Sequence, residues 1–257
     1  PLAGRPLSML GPEQRTRVLS QLNDGPAHWA VRALLSPLKL AQASHPQLAS
    51  ALAIKPFSLS MARERSRWEE RVTDAATLGD EEMEVDAVVV GTGAGGSPVA
   101  HQLAASGHAV LMLEEGGHHT RRDFNGDPMA MHHKLYRDRG MQAAFGNTMI
   151  PLPTGRGVGG TTTINSGTCF RVSSALQQRW VDELDLTELG PGTLDTYYER
   201  VEAMLEVAPS PRAILGGVAN VIARGSDALG YAHHALDRNA PGCDGQGVCC
   251  FGCPTDA

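Results

Sequence analysis

Between residues 85 and 114 the chain alternates apolar runs and glycine in an ordered way. Val85-Asp86-Ala87-Val88-Val89-Val90 is a short run rich in β-branched side chains, as expected of a buried parallel strand. The turn Gly91-Thr92-Gly93-Ala94-Gly95-Gly96 comes next. Ser97 to Ser106 then reads as a helix, with Val99, Leu103 and Ala104 on one face and Gly107 as its stop. Ala109-Val110-Leu111-Met112-Leu113 is a second buried strand, ended by Glu114. Together these make a β–α–β unit of about thirty residues.

The flanks have a different texture. Residues 1–80 read as a small helical extension. Gly11-Pro12-Glu13 starts a helix with Val18, Leu19 and Leu22 on one face. Ala27 to Ala43 is a second helical stretch interrupted at Pro37, and Pro46 and Pro56 punctuate the residues after it. Met61 to Thr73, with Arg63, Glu64, Arg65, Arg67, Glu69, Glu70 and Arg71, predicts a solvated linker helix; a docking face for another subunit or a membrane surface is the alternative. Downstream, residues 118–150 look mostly irregular, broken by Pro128, Gly140 and Gly146. A second glycine turn spans Gly155 to Gly160. Residues 174–206 look helical up to Tyr197–Glu202, and residues 216–230 carry another helical pattern. The expected class is α/β, with an extension over 1–80 and a nucleotide-binding domain over 84–257.

Composition narrows the function. With 42% apolar residues among 257, a proper core can form. A net charge of −6 with no basic block argues against nucleic acid as the main partner, because phosphate neutralisation needs clustered Lys and Arg. No apolar run approaches the ~20 residues that cross a bilayer. The start Pro1-Leu2-Ala3-Gly4 has no initiator Met and no charged segment before an apolar one, so no signal peptide is expected and the expected location is cytoplasmic. Four of the five cysteines crowd the last residues, unlike a secreted disulfide scaffold.

The first glycine turn sits where a dinucleotide site requires it: after a strand, opening a helix, with an acid at the end of the next strand. Gly91 permits the tight turn, Gly93 lets backbone approach a pyrophosphate, and Gly96 lets helix and strand pack closely. The helix N–H groups and dipole face the phosphates. Glu114 can accept hydrogen bonds from a ribose, which favours FAD or NAD over NADP. This segment alone leaves FAD and NAD level.

The stretch Gly155-Arg156-Gly157-Val158-Gly159-Gly160-Thr161-Thr162-Thr163-Ile164-Asn165-Ser166-Gly167 resembles the second signature of the glucose–methanol–choline (GMC) oxidoreductases. Both signatures occur in order, and the resemblance covers residues 84–257, with Trp180 and the Tyr197–Glu202 helix as weaker features. It implies a Rossmann-like FAD-binding domain, incomplete in this chain. Gly157, Gly160 and Thr161 would be flavin or pyrophosphate contacts, and Asn165 matches the asparagine beside the flavin ring. Some members attach FAD through a histidine just before that asparagine. Ile164 stands there, so the implied FAD is non-covalent. Residues 1–80 resemble the extension of long-chain-alcohol-oxidase-like members or bacterial dehydrogenases near them. The implied reaction is oxidation of a small-molecule alcohol at CH–OH by hydride transfer to flavin. A flavin-binding structural or carrier protein without turnover is the alternative from another class. The second signature argues against an NAD-dependent dehydrogenase.

Cys243-x5-Cys249-Cys250-Phe251-Gly252-Cys253-Pro254 admits two readings. Cys243, Cys249 and Cys253 resemble the ligand spacing of an iron–sulfur cluster in some bacterial family members, where a dehydrogenase subunit passes electrons to a partner. The favoured reading is a cysteine–glycine loop without a cluster, for which the alcohol-oxidase branch offers a counterpart; a disulfide is a variant of it. Cys169 reads as a small buried residue, with proximity to the flavin as the alternative. The adjacent pairs His118-His119, His132-His133 and His233-His234 make poor paired ligands. The resemblance places the catalytic histidine near the family's C-terminus, beyond Ala257, so no catalytic residue is named. A second polypeptide carrying the rest of the fold, cleaved or separately encoded, is the expected partner.

Overall fold

The computed structural model describes residues 9–23, 35, 38–39, 41–42, 44–51, 67–80 and 82–255. In chain order the elements are α1 (Pro12–Asn23), α2 (Pro46–Ala51), β1 (Ala87–Val90), α3 (Gly96–Ala105), β2 (Val110–Leu113), α4 (Pro128–Leu135), β3 (Ala143–Phe145) and β4 (Met149–Pro151). They continue with α5 (Ser174–Leu184), α6 (Asp195–Met204), β5 (Ala208–Pro209), α7 (Gly217–Leu229) and β6 (Asp237–Arg238), with short 3-10 turns between. The architecture is mixed helix and strand. The chain divides into two compact units, residues 1–56 with 126–154, and residues 57–125 with 155–257.

In the first unit, α1 starts at Pro12, where a missing N–H costs nothing. Ala27 to Ala43 lies for the most part outside the described residues. Residues 126–154 are more regular than their broken pattern suggests. Pro128 is not a breaker but the first helical residue of α4; the Asp127 carboxylate caps it by accepting from the Ala130 N–H at 2.6 Å. Met131 and Leu135 lie one turn apart on the buried face. Asp138, Arg139 and Gly140 form a left-handed turn with φ of 48°, 56° and 73°. Gly146 lies in the loop of an antiparallel hairpin pairing Ala143 with Pro151 and Phe145 with Met149.

In the second unit, the charged stretch expected as a linker helix over 61–73 is, in its described part, only a 3-10 turn over Arg67–Arg71. Next comes the β–α–β unit. β1 and β2 are parallel, with Ala87 opposite Val110 and Val90 opposite Leu113. The apolar runs predict that both strands are buried, and here the structure differs. Among the described residues they pair only with each other, so Val88, Val90 and Leu113 stay 53%, 82% and 47% exposed.

The helical stretch expected over 174–206 is also broken. α5 begins on a Ser173 cap and ends at Asp185 in the left-handed region, φ 57°. Gly190-Pro191-Gly192 intervenes before α6. The corner is held by Gln177, buried between turns: its Nε2 donates to the Val172 carbonyl (3.3 Å) and its Oε1 accepts from the Gly192 N–H (3.2 Å). A buried amide satisfied on both ends costs little and specifies one geometry. β6 pairs with β5 through Asp237 and Arg238, and Arg238 also bridges to Thr168. α7 matches the helix expected over 216–230.

Candidate functional site

The site begins where β1 ends. The Gly91 N–H donates to the Leu113 carbonyl at 2.7 Å, and the chain then turns away with Gly91 at φ +93°, a conformation that L side chains rarely adopt. Gly96 opens α3 directly behind this turn. A Cβ on Gly96 would lie 2.1 Å from the Gly91 carbonyl oxygen and 3.1 Å from Val89 Cγ1, so helix and strand approach only because the side chain is absent. The front of the turn is open by contrast, since a Cβ on Gly95 would meet nothing within 4 Å. α3 has no side-chain cap and no acid in its first turn. Its positive end is left for an anion.

Glu114 closes the turn from the far side. Its Oε2 accepts from the Thr92 N–H (3.1 Å) and the Thr92 hydroxyl (2.7 Å), and its Oε1 from the Gly116 N–H (3.0 Å). The acid at the end of β2 is thus tied to the backbone it faces.

The second glycine turn packs against the first. Gly160 has φ +55°, and a Cβ there would lie 3.0 Å from the Gly93 Cα. Gly159, at φ +92°, donates its N–H to the Thr92 hydroxyl at 3.0 Å. Gly157 pairs with Gly117 in a parallel bridge. A Cβ on Gly116 would sit 2.3 Å from the Gly157 nitrogen. The glycines from both signatures, Gly91, Gly93, Gly96, Gly157 and Gly160, therefore converge with Glu114 in one place.

Thr161 and Asn165 hold their own loop. The Thr161 hydroxyl accepts from the Gly155 N–H (3.1 Å), and Asn165 Oδ1 accepts from the Gly167 N–H (2.7 Å). Ile164 between them is buried. Thr92, Gly116 and Arg238 take part in these contacts as well. Gly116-Gly117 directly after Glu114-Glu115 was a signal for close backbone approach. Nothing local marked Thr92 or Arg238.

Beside this loop lies a cavity of about 260 Å³ lined by Thr162, Asn165, Cys169, Arg238, Cys243, Cys249 and Cys253, among others. Arg238 binds the Ser166 carbonyl through Nε (3.0 Å) and Nη2 (2.6 Å), and Nη2 also reaches Cys249 Sγ at 3.3 Å. All five cysteines are free thiols. Cys169 contacts the Gly167 carbonyl (3.5 Å), and Cys253 contacts the Thr255 hydroxyl (3.2 Å). Burial and the neighbouring Cys249 raise the Cys250 thiol above its ordinary value. Among the described residues, no three His, Cys, Asp or Glu side chains are grouped to hold a metal ion. Among the same residues, no helix is long and apolar enough to cross a membrane.

The GMC oxidoreductase family model matches residues 132–257. An uncharacterised GMC-type oxidoreductase of Mycobacterium tuberculosis (strain ATCC 25618 / H37Rv) is 37% identical over 99% of this chain and 40% of its own length. A long-chain-alcohol oxidase of Arabidopsis thaliana is 30% identical over 67% of this chain and 23% of its own. An oxygen-dependent choline dehydrogenase of Rhizobium rhizogenes (strain K84 / ATCC BAA-868) is 29% identical over 47% of this chain and 23% of its own. The chain therefore spans about two fifths of the length of the first of these relatives.

Proposed function

Because the chain belongs to the GMC oxidoreductase family, we propose that it is the part of an FAD-dependent alcohol oxidoreductase that holds the cofactor, in a Rossmann-like domain. The observation that carries this reading is the abutment of the two glycine turns at Gly93 and Gly160, in front of an uncapped α3 N-terminus. The residues fit the group. A pyrophosphate needs bare backbone and unpaired N–H groups, and the open front at Gly95 and the end of α3 supply both. Glu114 would face the adenosine ribose, and Gly157, Gly160, Thr161 and Asn165 the remainder. When bound, the flavin supplies the hydride acceptor for a CH–OH carbon. This chain's residues bind and orient the cofactor. Ile164 is buried and has no nucleophile, so the attachment is non-covalent.

The exposed Val88, Val90 and Leu113 belong to a sheet that further strands complete, because a two-stranded parallel pair with open apolar faces is unstable alone. Those strands, and the groups that move the hydroxyl proton, come from outside the described residues, in the same polypeptide or a second one.

Titration with FAD of the whole protein, with the strands that complete the sheet present, followed by acid precipitation, tests the reading. The flavin should bind and then leave with the supernatant. Whole protein that takes up no FAD refutes the reading, and a yellow pellet refutes non-covalent attachment.

A further inference from the structure

The Thr92 hydroxyl is placed to do more than fill a turn. Its proton goes to Glu114 Oε2 (2.7 Å), and its lone pair accepts from the Gly159 N–H (3.0 Å). One atom thus bonds an acid 22 positions downstream and a backbone amide 67 positions downstream. The Thr92 N–H reinforces the first bond at 3.1 Å. The Thr92 carbonyl accepts from the Ser97 hydroxyl at 2.6 Å, which fixes the residue to the first turn of α3. A bond to a carboxylate is among the stronger neutral-donor bonds, and these contacts are partly shielded from water. Alanine or glycine at this point of the turn would preserve the backbone path but supply neither bond.

We propose that Thr92 is a positioning residue that clasps the two glycine turns and the Glu114 carboxylate into one unit, and so sets the affinity of the site for FAD. The inference rests on the FAD reading above and deepens it. Thr92 itself binds no cofactor atom; it acts through Glu114 and Gly159. Without it, the Gly159 N–H loses its hydroxyl partner, Glu114 Oε2 loses the hydroxyl and keeps the Thr92 N–H, and the contact of Gly160 with Gly93 remains between the two turns.

Thr92→Val keeps the shape and removes both bonds, and Thr92→Ser keeps both. Two measurements on the whole protein, with the strands that complete the sheet present, test the proposal. Hydrogen exchange of the peptide containing Gly159, read by mass spectrometry without cofactor, should accelerate in T92V and match the parent in T92S. FAD titration by flavin fluorescence should show affinity lower by about tenfold or more in T92V, recovery to within about threefold in T92S, and a much smaller effect of T92V in a Glu114→Gln background. Unchanged exchange in T92V overturns the clasp. Unchanged FAD affinity, lack of rescue by serine, or an effect fully additive with E114Q overturns its role in the site. If T92V does not fold, the comparison of T92S with Thr92→Ala decides on the same criteria. If the parent protein itself takes up no FAD, the cofactor reading fails while the exchange result still decides on the clasp.

Discussion

Gly160 faces Gly93 so closely that a Cβ on Gly160 would lie 3.0 Å from the Gly93 Cα. The two residues are the facing points of two loops widely separated in sequence. The first turn thus helps to demand glycine at 160, whereas a Cβ on Gly93 would lie at an ordinary contact distance, 3.8 Å, from the Gly160 Cα.

Gly160→Ala should be costly for two reasons. It combines a left-handed backbone (φ +55°) with the close contact to Gly93. We expect a loss of about 1–3 kcal/mol in urea denaturation, with an unchanged m value. FAD affinity should fall with it. A stability within error of the parent would show that the turns can separate freely.

Gly96 and Gly95 are neighbours with opposite expectations. Gly96→Ala places a Cβ 2.1 Å from the backbone oxygen of Gly91, where nothing flexible can yield. A loss above about 2 kcal/mol is expected. Gly95→Ala meets nothing within 4 Å and has φ −84°, so stability should change by less than about 1 kcal/mol in either direction. Chemical denaturation of the pair separates steric exclusion behind the turn from openness in front of it.

Arg171 and Glu202 form a bidentate pair at 2.8 Å (Nε to Oε1) and 2.5 Å (Nη2 to Oε2), with the guanidinium 5.6 Å from the Tyr198 ring centre. The hydrogen bond from Arg171 holds the Glu202 carboxyl below its ordinary value of 4.5. A depressed carboxyl stabilises the fold above the unfolded value, and that contribution disappears as pH falls through the folded one. Glu202→Gln should therefore lower the urea midpoint slightly at pH 7 and converge on the parent in acid. High salt should shrink the difference at pH 7. A gap that widens on acidification would contradict the assignment.

Near Arg238, Cys249 lies against the Arg238 guanidinium, Cys169 against the Gly167 carbonyl and Cys253 against the Thr255 hydroxyl. Iron and acid-labile sulfide analysis of anaerobically purified protein is expected to find both well below one per chain. Stoichiometric iron would establish the cluster reading for Cys243, Cys249 and Cys253.

Much of the β–α–β unit was legible in the residues alone, because a β-branched run, a glycine turn and a periodic helix are local patterns. The helix at Gly217–Leu229 was legible for the same reason. Residues 126–154 were not. Pro128 and Gly146 read as breaks, yet one starts a helix and the other turns a hairpin, and neighbours decide which role such residues take. The corner after Leu184 was hidden too, since it depends on Gln177 meeting Gly192.

By itself, the sequence determined the glycine positions, the acid after β2 and the family to which they point. Backbone conformation at a glycine is a local demand, and local demands are written in residue type. Tertiary structure decided that Gly93 meets Gly160, that Thr92 joins Glu114 to Gly159, and that Arg238 joins Ser166 to Cys249. Those are contacts between segments distant along the chain, made by short-range forces that act only once folding has brought the segments together.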